Sequence, residues 1–234
     1  MSGLKRYPES PRLESLLKIY EASGGVINFA LFERDDAIPE EIELHRQAAI
    51  CAVEAFALWT DRDFEQLLQA EEHKHRRREE FFCVTIQPEL LSGRKITLSE
   101  FLGPCYDIES RRLILRGQTV NHLNHYFYSG DEERFQNIVT PPDNETEFVT
   151  SGYAQAFCET VHGLRGTNKH INALFFAFAD ELFGGFRRSL NIYQWSTNWS
   201  NYFDDGHEWW GSFCWTVEPE DANYIVSVLA STTD

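Results

Sequence analysis

Hydrophobic and polar positions along this chain switch between two periods, and the switches mark out its elements. In "SPRLESLLKIYEASGG" the apolar residues Leu13, Leu16, Leu17 and Tyr20 follow the spacing of one helix face. Ser10 is placed to cap that helix, Pro11 suits its first turn because no N–H is needed there, and the Gly pair stops it. "VINFALFE" at 26–33, β-branched and aromatic with no Gly or Pro, predicts a strand. From Pro39 to about Trp59 the helical period returns through Ile42, Ala49, Val53 and Phe56. Asp61 is then expected to cap a second helix that carries Phe64, Leu67 and Leu68 towards Glu80. "FFCVTIQP" predicts a strand, "TLSEFLG" a short helical turn and "RRLILRG" another strand.

Acidic and turn-forming residues around a Pro pair predict an exposed loop at 130–147. Beyond it, "SGYAQAFCETVHG" and "TNKHINALFFAFADELFGG" predict two helices. The second has Thr167 as N-cap, a stripe of Ile171, Leu174, Phe175, Phe178 and Leu182, and Gly184 where a left-handed C-cap is needed. The chain then reads as strands, "SLNIYQWS", "EWWGSFCWTV" and "NYIVSVLAS". In the middle strand, Trp209, Phe213, Trp215 and Val217 share one face, while Trp210, Ser212, Cys214 and Thr216 share the other. The second face is mixed, which points to partial cover by another layer or to a contact surface. The predicted fold is a single α+β domain over residues 1–234, with a helical N-terminal part and an antiparallel C-terminal meander packed on the 167–183 helix.

Composition fits that picture: 234 residues, 42% hydrophobic and 14% aromatic, can bury a core without covalent staples. The five cysteines, Cys51, Cys83, Cys105, Cys158 and Cys214, are scattered and odd in number. They signal neither a disulfide framework nor a zinc knuckle, which points to a cytoplasmic protein. The longest apolar run, "ALFFAFA", is too short to cross a bilayer, and "MSGLKRYPESPRL" lacks the apolar stretch of an export signal. Without export, the sequons at Asn144 and Asn198 carry no weight. The formal charge of −16 is concentrated in residues 118–234, which hold 5 basic and 16 acidic residues. Such a field repels nucleic acid and favours basic partners, although solubility alone is the plainer explanation.

Candidate chemistry gathers in "STNWSNYFDDGHE". An Asp205–Gly206 turn would place Asp204, His207 and Glu208 at a loop tip, where His207 could act as a base oriented by an acid. The plainer reading is a solvated turn anchored by Trp195, Trp199, Tyr202 and Phe203. His122 and His125 fall on opposite faces if "NHLNHYFYS" is extended, which opposes a shared metal. "HKHRRREE" at 73–80 reads as a solvated helix face. Cys158 and His162 stand four apart on a predicted helix, within reach of a thiolate–imidazole pair, but Phe157 and Val161 suggest burial. In "FGGFRR" the glycines follow a helix instead of preceding one, which is the wrong order for an anion cradle.

Two functional expectations result. The first is a non-catalytic binding protein of the inhibitor or immunity type, which engages a basic protein partner through an acidic, aromatic surface of Trp195, Trp199, Tyr202, Asp204, Asp205 and Trp210. On that reading Trp199→Ala weakens binding and leaves stability nearly unchanged. The alternative is a hydrolase built on His207 with Asp204, Asp205 or Glu208, joined by His122 or His125 through folding. A mimic of nucleic acid would need carboxylates arrayed at phosphate-like spacing. The sequence signals no cofactor, no metal, no nucleic acid and no membrane, and it leaves the oligomeric state open.

Overall fold

A computed structural model describes residues 3–70, 73, 75–117, 124–130, 138–139, 152–187, 189–208 and 210–232. Helix α1, Pro11–Ala22, starts as its sequence requires: the Ser10 hydroxyl accepts the Leu13 N–H, and Pro11 occupies the first turn. It leads into strand β1, Ile27–Glu33. Helix α2 then runs unbroken over Glu41–Leu68, where the sequence predicted two helices. Between Trp59 and Asp63 there is no Gly or Pro to stop it. Asp61 stays inside the helix, and its carboxylate pairs with Arg78 instead of capping.

Residues 81–87 do not form the expected strand. They make one isolated bridge, Ile86 to Ser200, and the Thr85 N–H is taken at 2.7 Å by the Asn201 side-chain carbonyl instead of by a neighbouring strand. Strand β2, Gly93–Ile96, and helix α3, Leu98–Leu102, follow. In α3 Thr97 and Glu100 form a reciprocal capping box. Strands β3, Tyr106–Asp107, β4, Arg112–Arg116, β5, Tyr126–Tyr128, and β6, Ile138–Val139, make a small antiparallel sheet in that order. Ile138 and Val139 thus pair with Phe127 and Tyr126 inside the stretch expected to be loop, most of which lies outside the described residues.

Helix α4, Tyr153–Cys158, is shorter than predicted. Helix α5, Asn168–Phe183, matches its prediction at both ends, with Thr167 accepting the His170 N–H and Gly184 in the left-handed conformation. Strands β7, Leu190–Trp195, β8, Ser212–Pro219, and β9, Tyr224–Ser231, form the antiparallel meander. Outer strands complete a five-stranded sheet ordered β1-β9-β8-β7-β2, with every pairing antiparallel.

The class is α+β, and both faces of this sheet are covered. On one face Trp215, Val217, Val226 and Val228 pack with Phe157, Phe175, Phe178 and Leu182 of α4 and α5. On the other, Cys214, Ile225 and Leu229 meet Leu44, Ala48, Ala49, Ala52 and Val53 of α2, whose small side chains let it lie close to the strands. The mixed face of β8 is therefore an interior surface, with α2 as the second layer. Trp210 does not lie on that face. It precedes the strand and packs edge-on against Phe213 at 5.6 Å, because Gly211 at φ 128° breaks the alternation. Trp209 lies outside the described residues. No helix among the described residues is long and apolar enough to cross a membrane.

Candidate functional site

The aromatic residues between 195 and 203 close the end of the α2-side core. Trp195 is 4% exposed, Trp199 0% and Tyr202 7%, and each polar atom is occupied inside the fold. Trp195 Nε1 donates to Thr216 Oγ1 at 2.9 Å, Trp199 Nε1 to the Ser196 carbonyl at 2.8 Å, and Tyr202 Oη accepts from Asn28 Nδ2 at 2.9 Å. These three cannot serve as the contact surface expected of them. The cause is geometric: α2 covers only part of the sheet, and the rings following β7 cover the remainder. Trp210 is half-buried and donates to the Glu159 carbonyl at 2.7 Å.

Asp204, Asp205, His207 and Glu208 are exposed on two successive 3-10 turns, Asn201–Phe203 and Asp205–Glu208, instead of at a two-residue hairpin tip. His207 Nε2 lies 2.8 Å from Thr197 Oγ1, and none of the four residues lines the grooves described below. His125 is exposed just before β5, and His122 lies outside the described residues. Among the described residues, the four are not gathered in a groove. The turn nonetheless has a strict requirement at Gly206, whose N–H donates to Ser231 Oγ at 3.0 Å. A Cβ there would run into the Gly211 carbonyl and the Ser212 hydroxyl. Gly206→Ala is expected to cost about 1–3 kcal/mol in a denaturant melt, as for an overpacked site. An unchanged midpoint would mean that this turn is loosely held.

The other sequence motifs resolve into structure. Helix α4 ends at Cys158, so His162 is not on the same helix, and burial pushes the Cys158 thiol well above its ordinary range, away from a reactive thiolate. Arg78 pairs with Asp61 and lies over the Phe64 ring at 4.8 Å, while Arg76 lies over Phe81 at 4.4 Å. Gly184 is a helix cap, followed by an exposed Arg187, and Arg188 is outside the described residues. Among the described residues no group of three or more His, Cys, Asp or Glu is placed to hold a metal ion.

One constellation escaped sequence reasoning. His45 on α2, 0% exposed, has Nδ1 2.8 Å from Thr216 Oγ1 and Nε2 3.6 Å from the Glu218 carboxylate, itself 2% exposed. Thr216 Oγ1 accepts the Trp195 N–H and also meets His45 Nδ1, while His45 Nε2 faces Glu218 from beyond hydrogen-bond length. The order Thr, His, Glu resembles a nucleophile, a base and an orienting acid. Here, however, all three sit between α2 and the sheet, and none of them lines either groove described below. A continuing network, Arg34 to Glu218 and Lys95 to both Glu41 and Asn191, carries the charge to the surface. The only sequence signal was Glu218 two residues after Thr216, which is a carboxylate on the buried side of a strand.

The concave surface with the most distinctive chemistry is a groove of about 730 Å³ between β2, α3 and the β3–β4 hairpin. Half-buried Phe213 forms its floor, backed by the buried Trp215 ring stacked on it at 5.0 Å, and Arg94, Glu100, Asp107 and Glu109 stand around it. The Thr97 N–H, the Arg94 guanidinium and the Thr97 hydroxyl hold the Glu100 carboxyl at about 2. Hydrogen bonds from the Ser110 hydroxyl and N–H, and then from Tyr128, hold Asp107 below the usual carboxylate range. Both stay ionised through mild acid. Three carboxylates against one arginine beside the half-buried Phe213 ring can receive a cationic side chain whose apolar stem lies on that ring. Aromatic identity and charge were legible in the sequence, but the meeting of β8 with the 94–109 segment was not. Compared with protein-family profiles, curated proteins and solved structures, the chain matches none.

Proposed function

We propose that this chain is a non-catalytic binding protein of the inhibitor or immunity type that engages a basic protein partner through the groove over Phe213. The observation that carries this reading is the coincidence of ionised carboxylates with an aromatic floor on one concave surface. Aromatic rings supply contact area at low entropic cost, and rim carboxylates select and steer a cationic surface. The formal charge of −16 adds long-range attraction for a basic protein and repulsion for nucleic acid. We place the protein in the cytoplasm, because its five cysteines are free thiols and four of them are buried.

Affinity capture from a soluble extract, repeated with the Ile108→Lys, Glu109→Lys double variant, tests the proposal. Both side chains are exposed, so folding should survive the change. A stoichiometric basic partner is expected with the native chain and at least a tenfold loss of it with the variant, corresponding to about 1.4 kcal/mol. Since Glu100 and Asp107 keep their charge in mild acid, capture should persist at pH 5 and weaken with added salt. A partner retained equally by the variant would remove the groove from the account.

A further inference from the structure

A second surface, independent of the basic-partner groove, lies on the far edge of the five-stranded sheet. Strand β1 is the outermost strand there, and its neighbour β9 uses only one of its two sides. The other side is partly covered by the chain's own N-terminal segment: Tyr7 N donates to the Leu31 carbonyl at 2.9 Å, and Glu33 N to the Lys5 carbonyl at 2.8 Å. These two bonds fix the parity of the strand, because Leu31 and Glu33 direct their backbone groups away from β9, and so must Phe29.

The pairing then stops. Glu9, the next residue placed to face Phe29, makes no backbone hydrogen bond to it, and Ser10 turns the chain into α1. Among the described residues, nothing hydrogen-bonds the outward N–H and C=O of Phe29. Beside this bare edge runs a groove of about 560 Å³, walled by Leu17 and Tyr20 of α1 and by Ala52, Ala55, Phe56 and Trp59 of α2. Trp59 is 61% exposed and stands 5.8 Å from Phe56. An edge that combines unpaired backbone with apolar walls is a template for one more strand.

We infer that this edge takes an extended, uncharged segment of a partner protein as a sixth strand, with apolar side chains at alternate positions. Three observations select that occupant. The missing hydrogen bonds are the main-chain pair of Phe29, one N–H and one C=O side by side, which a single residue of an extended backbone answers together. The charged groups in the lining are one Arg6 and one Glu21, opposite in sign, so the groove favours no net charge. The bare edge is also recessed between two helices. A second copy of this chain, whose own β1 lies between its own α1 and α2, cannot bring edge to edge, whereas a free strand can enter. Residues 5–7 already lie along the same edge as a partial strand.

The test begins with a displayed library of seven-residue peptides, selected on the full chain and counter-selected on Ala55→Arg, which fills the groove from a half-buried position on α2. The enriched peptides should alternate apolar and uncharged polar residues. The best one is then synthesised with N-methyl groups on alternate amides. Methylation of the set that faces β1 should weaken binding at least tenfold, while methylation of the other set leaves it nearly intact, and the Phe29 amide should become protected from hydrogen exchange. Failure to enrich any peptide, equal tolerance of both methylated sets, or helix-patterned winners would overturn the inference. So would self-association of the native chain that Ala55→Arg abolishes, since it would make a second copy the occupant.

Discussion

Trp199→Ala is expected to lower folding stability by about 3–5 kcal/mol, the range for truncating a large aromatic residue in a close-packed core. Its indole is fully buried, lies 5.7 Å from Phe203, and donates to the Ser196 carbonyl. The Trp199 carbonyl accepts the Gln87 N–H at 2.7 Å, so the residue also ties the 81–87 segment to the sheet. Truncation leaves a cavity and an unpaired carbonyl, two separate costs. The sequence had suggested a contact residue whose loss spares stability, and burial reverses that expectation. Equilibrium urea unfolding checks it, with the exposed Asp205→Lys as a control expected within about 0.5 kcal/mol of the native chain. A Trp199→Ala midpoint equal to that of the control would return the ring to the surface.

Glu218→Gln should cost about 2 kcal/mol at pH 7, less than for a fully buried pair because Arg34 is half exposed. Burial alone would push the Glu218 carboxyl up, but the His45 ring, the Arg34 charge and the Asn191 amide outweigh it and hold it below its ordinary value. A carboxyl depressed in the folded state contributes stability above its unfolded pKa, near 4.3, and loses it as the pH falls through the folded value. The gap between native chain and variant should therefore be widest near neutrality and narrow as the pH falls below about 4. Denaturant melts at pH 7 and pH 3.5 measure both ends. A gap that stays constant, or grows in acid, would show that the charge of Glu218 does not hold this network together.

Local signals explain what could be foreseen. Helix α5 is bounded by Thr167 and Gly184, both of which act within one turn of the chain, so its ends follow from sequence alone. The continuity of α2 did not, because Asp61 is as good a cap as a helical ion-pair partner, and the choice depends on Arg78 seventeen residues away. The 198–210 stretch misled for a related reason. Aromatic residues beside carboxylates look the same whether they line an interface or seal a core, and only the unseen position of α2 decides. His45, Thr216 and Glu218 come from opposite ends of the chain, so no spacing rule could bring them together. The acid-rimmed groove was hidden likewise: Trp215 was recognised as facing inward, but nothing in the order of residues tells that Glu100, Asp107 and Glu109 gather beside it.

The most direct test of the central claim is a hydrogen-exchange footprint of the native chain with and without its captured basic partner. Protection is predicted over residues 94–109 and at Phe213, with the 204–208 turn exchanging as in the free protein. Protection confined to that turn, with no change at 94–109, would contradict the account and return the binding surface to the acidic loop.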